Sequence, residues 1–262
     1  MPILLSDVVE KGSWFGATWT IDNEDELANL IARVAIGQSR IVERVLGEID
    51  TLPIGFPKGG FKGARDLLSV KPGNDTYHRD GWVFQVISWI AAHLSYKNAK
   101  IRAPQMIKAD KGLDGLLIEL NDNKLAQVVI CEDKATENPR QKIQSAVWPE
   151  FEDFETGARD NELIASVTSL LERSNFQDPD SIVASILWQD KRAYRVAITV
   201  GKTHSTAAGR KRLFEHYDEK VQGDIVRRRA DTLYLADVRS WIASISDKAI
   251  VAIDAAEAES NV

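Results

Sequence analysis

In 262 residues the chain has one cysteine, two methionines and four histidines. A single thiol cannot build a disulfide scaffold and suits a reducing interior. His78, His93, His204, His216 and Cys131 show none of the spacings that hold zinc. No apolar run of about 18 residues occurs, and the first residues lack a basic segment followed by an apolar one, so neither a membrane span nor a secretory signal is expected and the cytoplasm is the expected location. Excess positive charge is missing too. A formal charge of −6 and a pI near 5.4 argue against an indiscriminate polyanion binder. A local basic patch stays compatible with them, because phosphate binding follows the local field. There is no internal repeat and no Gly-x-Ser-x-Gly elbow. Gly201-Lys202-Thr203 follows an apolar strand, but Val196 stands where a phosphate loop needs its first glycine.

What is present is enough to fold. Apolar residues make up 44% of the chain and include seven tryptophans, which supports a sizeable core in one large domain, or in a core with an N-terminal extension. Residues 1–75 read as that extension. Acidic residues from Asp22 to Glu26 mark a helix start, apolar residues recur at helical spacing to about Ile49, and a Gly/Pro-rich loop with Lys58 and Lys62 runs from Pro53 to Gly63. Residues 76–262 read as an α/β core. An apolar helix over about Asp80–Leu94 precedes two β-patterned runs around an Asn121-Asp122-Asn123 turn. A helix then starts at Asn138-Pro139, with Pro149 expected to end or kink it, and another covers about 160–171. Strands at 194–200 and 232–235 alternate with helices near 207–220 and 237–255, so a mixed sheet flanked by helices is expected.

The hairpin carries the most chemistry. Asp114 lies between glycines at its start, and Glu132-Asp133-Lys134 ends its second strand. Strand alternation puts Glu132 and Lys134 on one face. The midpoint between Asp114 and Glu132 is Asn123, in the turn, so the two carboxylates come roughly opposite each other. Facing like charges destabilise a sheet, and a divalent cation is the usual remedy. Acid-x-lysine also occurs at Asp122-Asn123-Lys124, in a turn, and at Asp218-Glu219-Lys220, on a surface helix; only the copy at 132–134 ends an apolar strand. Pro179-Asp180 has no suitably spaced acid-x-lysine and reads as a helix start.

These residues resemble the PD-(D/E)xK nuclease superfamily, whose core is restriction-endonuclease-like. The resemblance spans about residues 80–145 and includes Gly81-Trp82-Val83-Phe84-Gln85, similar to the Gly-x-x-Phe-Glu of many relatives, with Gln85 in place of the carboxylate. Leu113 stands where the family name has proline. The resemblance implies a restriction-endonuclease-like mixed sheet and a metal-dependent deoxyribonuclease. Asp114, Glu132 and Lys134 would be its catalytic residues. Its metal would be held by Asp114, Glu132 and the backbone carbonyl of Asp133 or Cys131, with Gln85 acting through a water. Hard oxygen ligands suit magnesium, with manganese as a substitute. Arg140, Gln141 and Lys142 would contact DNA, and Gln144 lies on the same helix. Further cations stand at Lys202, Arg210-Lys211-Arg212 and Arg227-Arg228-Arg229, each equally readable as a solvated face. The layout is also similar to the nuclease subunit of Hachiman-type antiphage defence, which implies control by a helicase or ATPase partner. A nuclease-like module that binds DNA or a partner without cutting is the alternative.

Overall fold

Two β-rich runs flank Lys11-Gly12 and fold into an antiparallel ribbon, β1 (Ile3–Glu10) and β2 (Trp14–Ile21), whose turn uses Gly12 at φ +80°. In this computed structural model the described residues are 1–47, 55–106, 112–121, 124–174, 182–184 and 191–260. Ile49, Pro53, the turn residues Asp122 and Asn123, and Pro179-Asp180 lie outside them. The ribbon adds two strands to the helix and Gly/Pro-rich loop expected of residues 1–75. β2 pairs in parallel with β7 (Arg228–Tyr234), so the N-terminal ribbon shares one sheet with the later strands.

The predicted first helix begins where expected, as α1 (Glu24–Ala35), with the Asn23 side chain accepting from the Glu26 backbone N–H. It does not run on. Gly37 adopts φ +92° and separates it from α2 (Ser39–Leu46). Part of the predicted loop is helical, since α3 (Phe61–Leu68) starts inside it. The apolar helix is α4 (Tyr77–Ser95). After the hairpin come α5 (Pro139–Lys142), a π-helical turn at Ile143–Val147 and α6 (Trp148–Glu155). Pro149 therefore does not end the helix. The wider turn stands just before the residue whose missing N–H and bulky ring an α-helix tolerates poorly. α7 (Asp160–Arg173), α8 (Ala207–Leu213), α9 (Tyr217–Lys220) and α10 (Val238–Ser260) complete the helices labelled here.

The sheet is mixed and seven-stranded, in the order β1-β2-β7-β6-β5-β4-β3. β3 is Lys100–Ile101, β4 Gly115–Asn121, β5 Lys124–Lys134 and β6 Arg192–Val200. The pairs β2·β7, β7·β6 and β6·β5 are parallel, and an antiparallel pairing closes each side. Alternation along β5 sends Val129 and Cys131 into a core with α1–α4 and α10, and Val128 and Ile130 into a second core with α6–α9. Between β2 and β7 the backbones crowd. A Cβ on Gly16 would stand 2.1 Å from the Ala230 carbonyl oxygen.

His93, near the end of α4, has its Nε2 enclosed without a hydrogen-bond partner and its ring 4.5 Å from Trp89. Burial lowers its pKa from 6.5 to about 4. The unfolded chain takes up this proton below about pH 6.5 and the folded chain only near pH 4, so stability is lost as pH falls through that window. Part of the ring meets solvent, so a loss of roughly 2 kcal/mol is expected. Urea unfolding of His93→Phe should lack that component. A difference between variant and native protein that is the same at pH 7 and pH 4 would contradict it.

Candidate active site at the end of β5

The Gly115↔Cys131 pairing continues by one step to set Asp114 beside Glu132, as the hairpin midpoint predicts. A register shift between Glu119 and Leu120 absorbs one residue near the turn, without disturbing the site end. Lys134 Nζ lies 2.5 Å from Asp114 Oδ2 and 2.6 Å from Glu132 Oε2, so the three expected catalytic side chains converge. Asp114 also accepts from Gln85 Nε2 at 2.7 Å and from the Asp133 backbone N–H at 3.1 Å. Gln85 on α4 thus reaches the site, with its amide nitrogen turned to the carboxylate.

Asp114, Lys134, Gln85 and Lys142 line a cleft of about 230 Å³, together with Tyr77, His78, Gly81 and Gln105. Glu132 does not line it. Glu132 is 1% exposed, and its Oε2 makes an ion pair with Lys134 but no well-angled hydrogen bond. Burial drives its pKa well above the ordinary carboxylate range, against the pull of Lys134 and with a further push from Asp114. Burial opposes the charge on Lys134 as well, but Glu132 and Asp114 outweigh it and hold the ammonium above the usual lysine range.

Asp133 faces the other way, towards α4. Its Oδ1 accepts from Ser88 Oγ at 2.6 Å, and Arg195 Nη1 donates to the same Ser88 Oγ at 2.9 Å. Arg195 Nε in turn pairs with Asp231 Oδ2 at 2.7 Å, while Asp231 Oδ1 accepts from the Ala17 backbone N–H. Burial raises Asp133 to about 7, with Arg195 opposing and Asp114 adding to the shift. No sequence motif marks this chain of buried polar groups from β5 to β2. A charged residue inside the apolar run Tyr194–Val200 was its available signal, since all nine β6 residues are buried.

The donor set fits a hard divalent cation. Two carboxylate oxygens already converge on one cationic nitrogen, and a buried Glu132 oxygen lacks a hydrogen bond. Asp114 and Glu132 would hold the ion with a backbone carbonyl of Asp133 or Cys131. Among the described residues, no group of three or more His, Cys, Asp and Glu side chains is arranged to hold a metal, so waters and backbone would complete the shell. The Cys131 thiol is buried and pushed up to about 12 by desolvation, which suits packing.

The expected DNA contacts separate. Lys142 is exposed on the cleft and Gln141 is exposed nearby. Arg140 is not brought to that cleft. It donates to the Leu213 and Glu215 carbonyls and, with Gln144, lines a different hollow beside Trp148 and His216. Arg227, Arg228 and Arg229 are buried and engaged: Arg227 with Glu155, Arg228 with the Val221 and Gly223 carbonyls, and Arg229 with Glu119 and Gln127. That triple-arginine run is structural. Arg210 donates to the Ser205 carbonyl and Lys211 pairs with Glu10, whereas Lys142, Lys202 and Arg212 are exposed cations.

No helix among the described residues is long and apolar enough to cross a membrane. No family model matches the chain, and no curated protein or solved structure matches it either.

Proposed function

We propose that this protein is a metal-dependent nuclease that hydrolyses phosphodiester bonds in DNA, with a restriction-endonuclease-like core. The convergence of Asp114, Glu132 and Lys134 at the end of β5, beside an open cleft, carries the reading. Magnesium or manganese held there would polarise the scissile phosphate and lower the pKa of a bound water. Asp114 and Glu132 bind and orient. Lys134, in contact with both carboxylates, would neutralise charge gained by the phosphate or steer the attacking water. Gln85 fixes the Asp114 carboxylate, and Lys142 offers a charge to a flanking phosphate. By its resemblance, the chain acts in bacterial antiphage defence or restriction, under a helicase or ATPase partner as in Hachiman-type systems.

A non-cutting module that binds DNA or a partner is the second reading. It is favoured by the enclosure of Glu132 and by a Gln85 that donates to Asp114 and adds no third carboxylate. Plasmid and single-stranded DNA incubated with magnesium, against EDTA and against Glu132→Ala, separate the two. Cutting that needs both the metal and Glu132 is expected. If cutting appears only once an ATPase or helicase from the same locus is added, the partner-controlled form holds. Intact DNA in every arm leaves the module reading.

A further inference from the structure

The cleft beside Asp114 carries an aromatic lip that the chemistry above does not use. Tyr77, the first residue of α4, is 53% exposed, and its hydroxyl makes no hydrogen bond among the described residues. Its ring centroid lies 4.3 Å from that of His78, and both side chains line the cleft with Asp114, Lys134 and Lys142. Gln105 is exposed on the same wall. Its backbone carbonyl is taken by Trp82 Nε1 at 2.6 Å, which anchors the residue and leaves the side-chain amide to solvent.

We infer that Tyr77, His78 and Gln105 form a nucleobase subsite, so that the cleft receives unpaired nucleotides in preference to intact duplex. This deepens the proposed nuclease reading and rests on it for the identity of the substrate. The flat ring of Tyr77 presents a face on which a base stacks, while the His78 ring, tilted 51° to it, stands against it and lines the same cleft. An amide such as that of Gln105 offers both a donor and an acceptor to a base edge. Inside a duplex each base face is covered by its neighbours, so only an unpaired or extruded base can lie on such a ring. The charge pattern agrees. Among the described residues, Lys142 is the exposed cation that lines the cleft beside the ion-paired Lys134, on a chain of net charge −6. That lining suits one strand held by stacking with a few phosphate contacts.

The test is binding, read by fluorescence anisotropy in EDTA, of an oligothymidylate about 12 nucleotides long. A phosphodiester of the same length built from abasic units serves as the control. The native protein is expected to bind the thymidylate about tenfold more tightly, from the stacking of a base on Tyr77. Tyr77→Ala should bring the two probes together, and Tyr77→Phe should keep the preference. Equal binding of both probes by the native protein overturns the subsite, as does a preference untouched in Tyr77→Ala, or no binding of either probe. Cutting with magnesium is scored separately. A protein that cuts without preferring bases keeps the nuclease and loses the subsite, whereas one that prefers bases without cutting does the reverse.

Discussion

Lys134→Ala is expected to reduce magnesium-dependent DNA cleavage by about 10²–10³-fold, the usual cost of removing one preorganised group that stabilises developing charge. It should also destabilise the fold. The ammonium lies within 2.6 Å of two carboxylate oxygens, one on a side chain that is 1% exposed. Removing the cation leaves a buried glutamate facing an aspartate with nothing between them, a change that typically costs about 3 kcal/mol or more. The two effects are separable. Lys134→Met combined with Glu132→Gln removes both charges while keeping similar volume, and should recover most of the stability with no activity. Metal should raise the Tm of Lys134→Ala at least as much as that of the native protein, because the ion takes over the neutralising role. Full activity in the single variant would remove Lys134 from the mechanism. Recovery of activity in the double variant would remove both residues.

Arg195→Met is expected to have the largest effect of any substitution outside the cleft. Its guanidinium is 1% exposed, pairs with Asp231, donates to Ser88 and lies 3.9 Å from Asp133. The electrostatic penalty of burial is met here by three neighbours on three elements, and truncation leaves Asp231 and Asp133 uncompensated. A loss of about 4 kcal/mol in urea unfolding is the expected result. Asp231→Asn keeps the oxygen that accepts from the Ala17 N–H while removing the charge. Added to Arg195→Met, it should restore at least half of that loss. Because the Asp133 backbone N–H holds Asp114, the single variant should also lower cleavage beyond its effect on folding. A loss under about 1 kcal/mol would show that these groups are well solvated in spite of their burial.

How far these residues could be foreseen follows from the range of the forces involved. Helix starts are local, and Asn23 with its acidic neighbours marks α1 correctly. The hairpin register is semi-local, and counting to its midpoint brings Asp114 to Glu132. What stayed hidden depends on partners far along the chain. Gln85 is expected at the site through a water, but its direct bond to Asp114 depends on α4 packing across β5, and Arg195 meets Asp231 only because β6 and β7 are neighbours. The arginines at 227–229 look like a polyanion surface in a linear reading, yet each is turned inward by contacts that composition does not encode. Arg140, two residues from a cleft-lining lysine, is drawn away by carbonyls at Leu213 and Glu215. β1 and β2 are written locally as well. Two eight-residue β-rich runs about a Lys-Gly turn are a hairpin signal.

The place of that first ribbon has a consequence for synthesis. Ala17 is tied to Asp231 across 214 positions, so the opening segment leaves the ribosome long before its partner strand exists. Until β7 is made, β2 has one edge without a neighbour, and an open edge invites pairing with other nascent chains. Closure of the sheet is then a late event that joins segments more than 200 residues apart. A chain stalled before residue 228 would carry the side chains of the β5 cluster and still lack the strand that completes their scaffold.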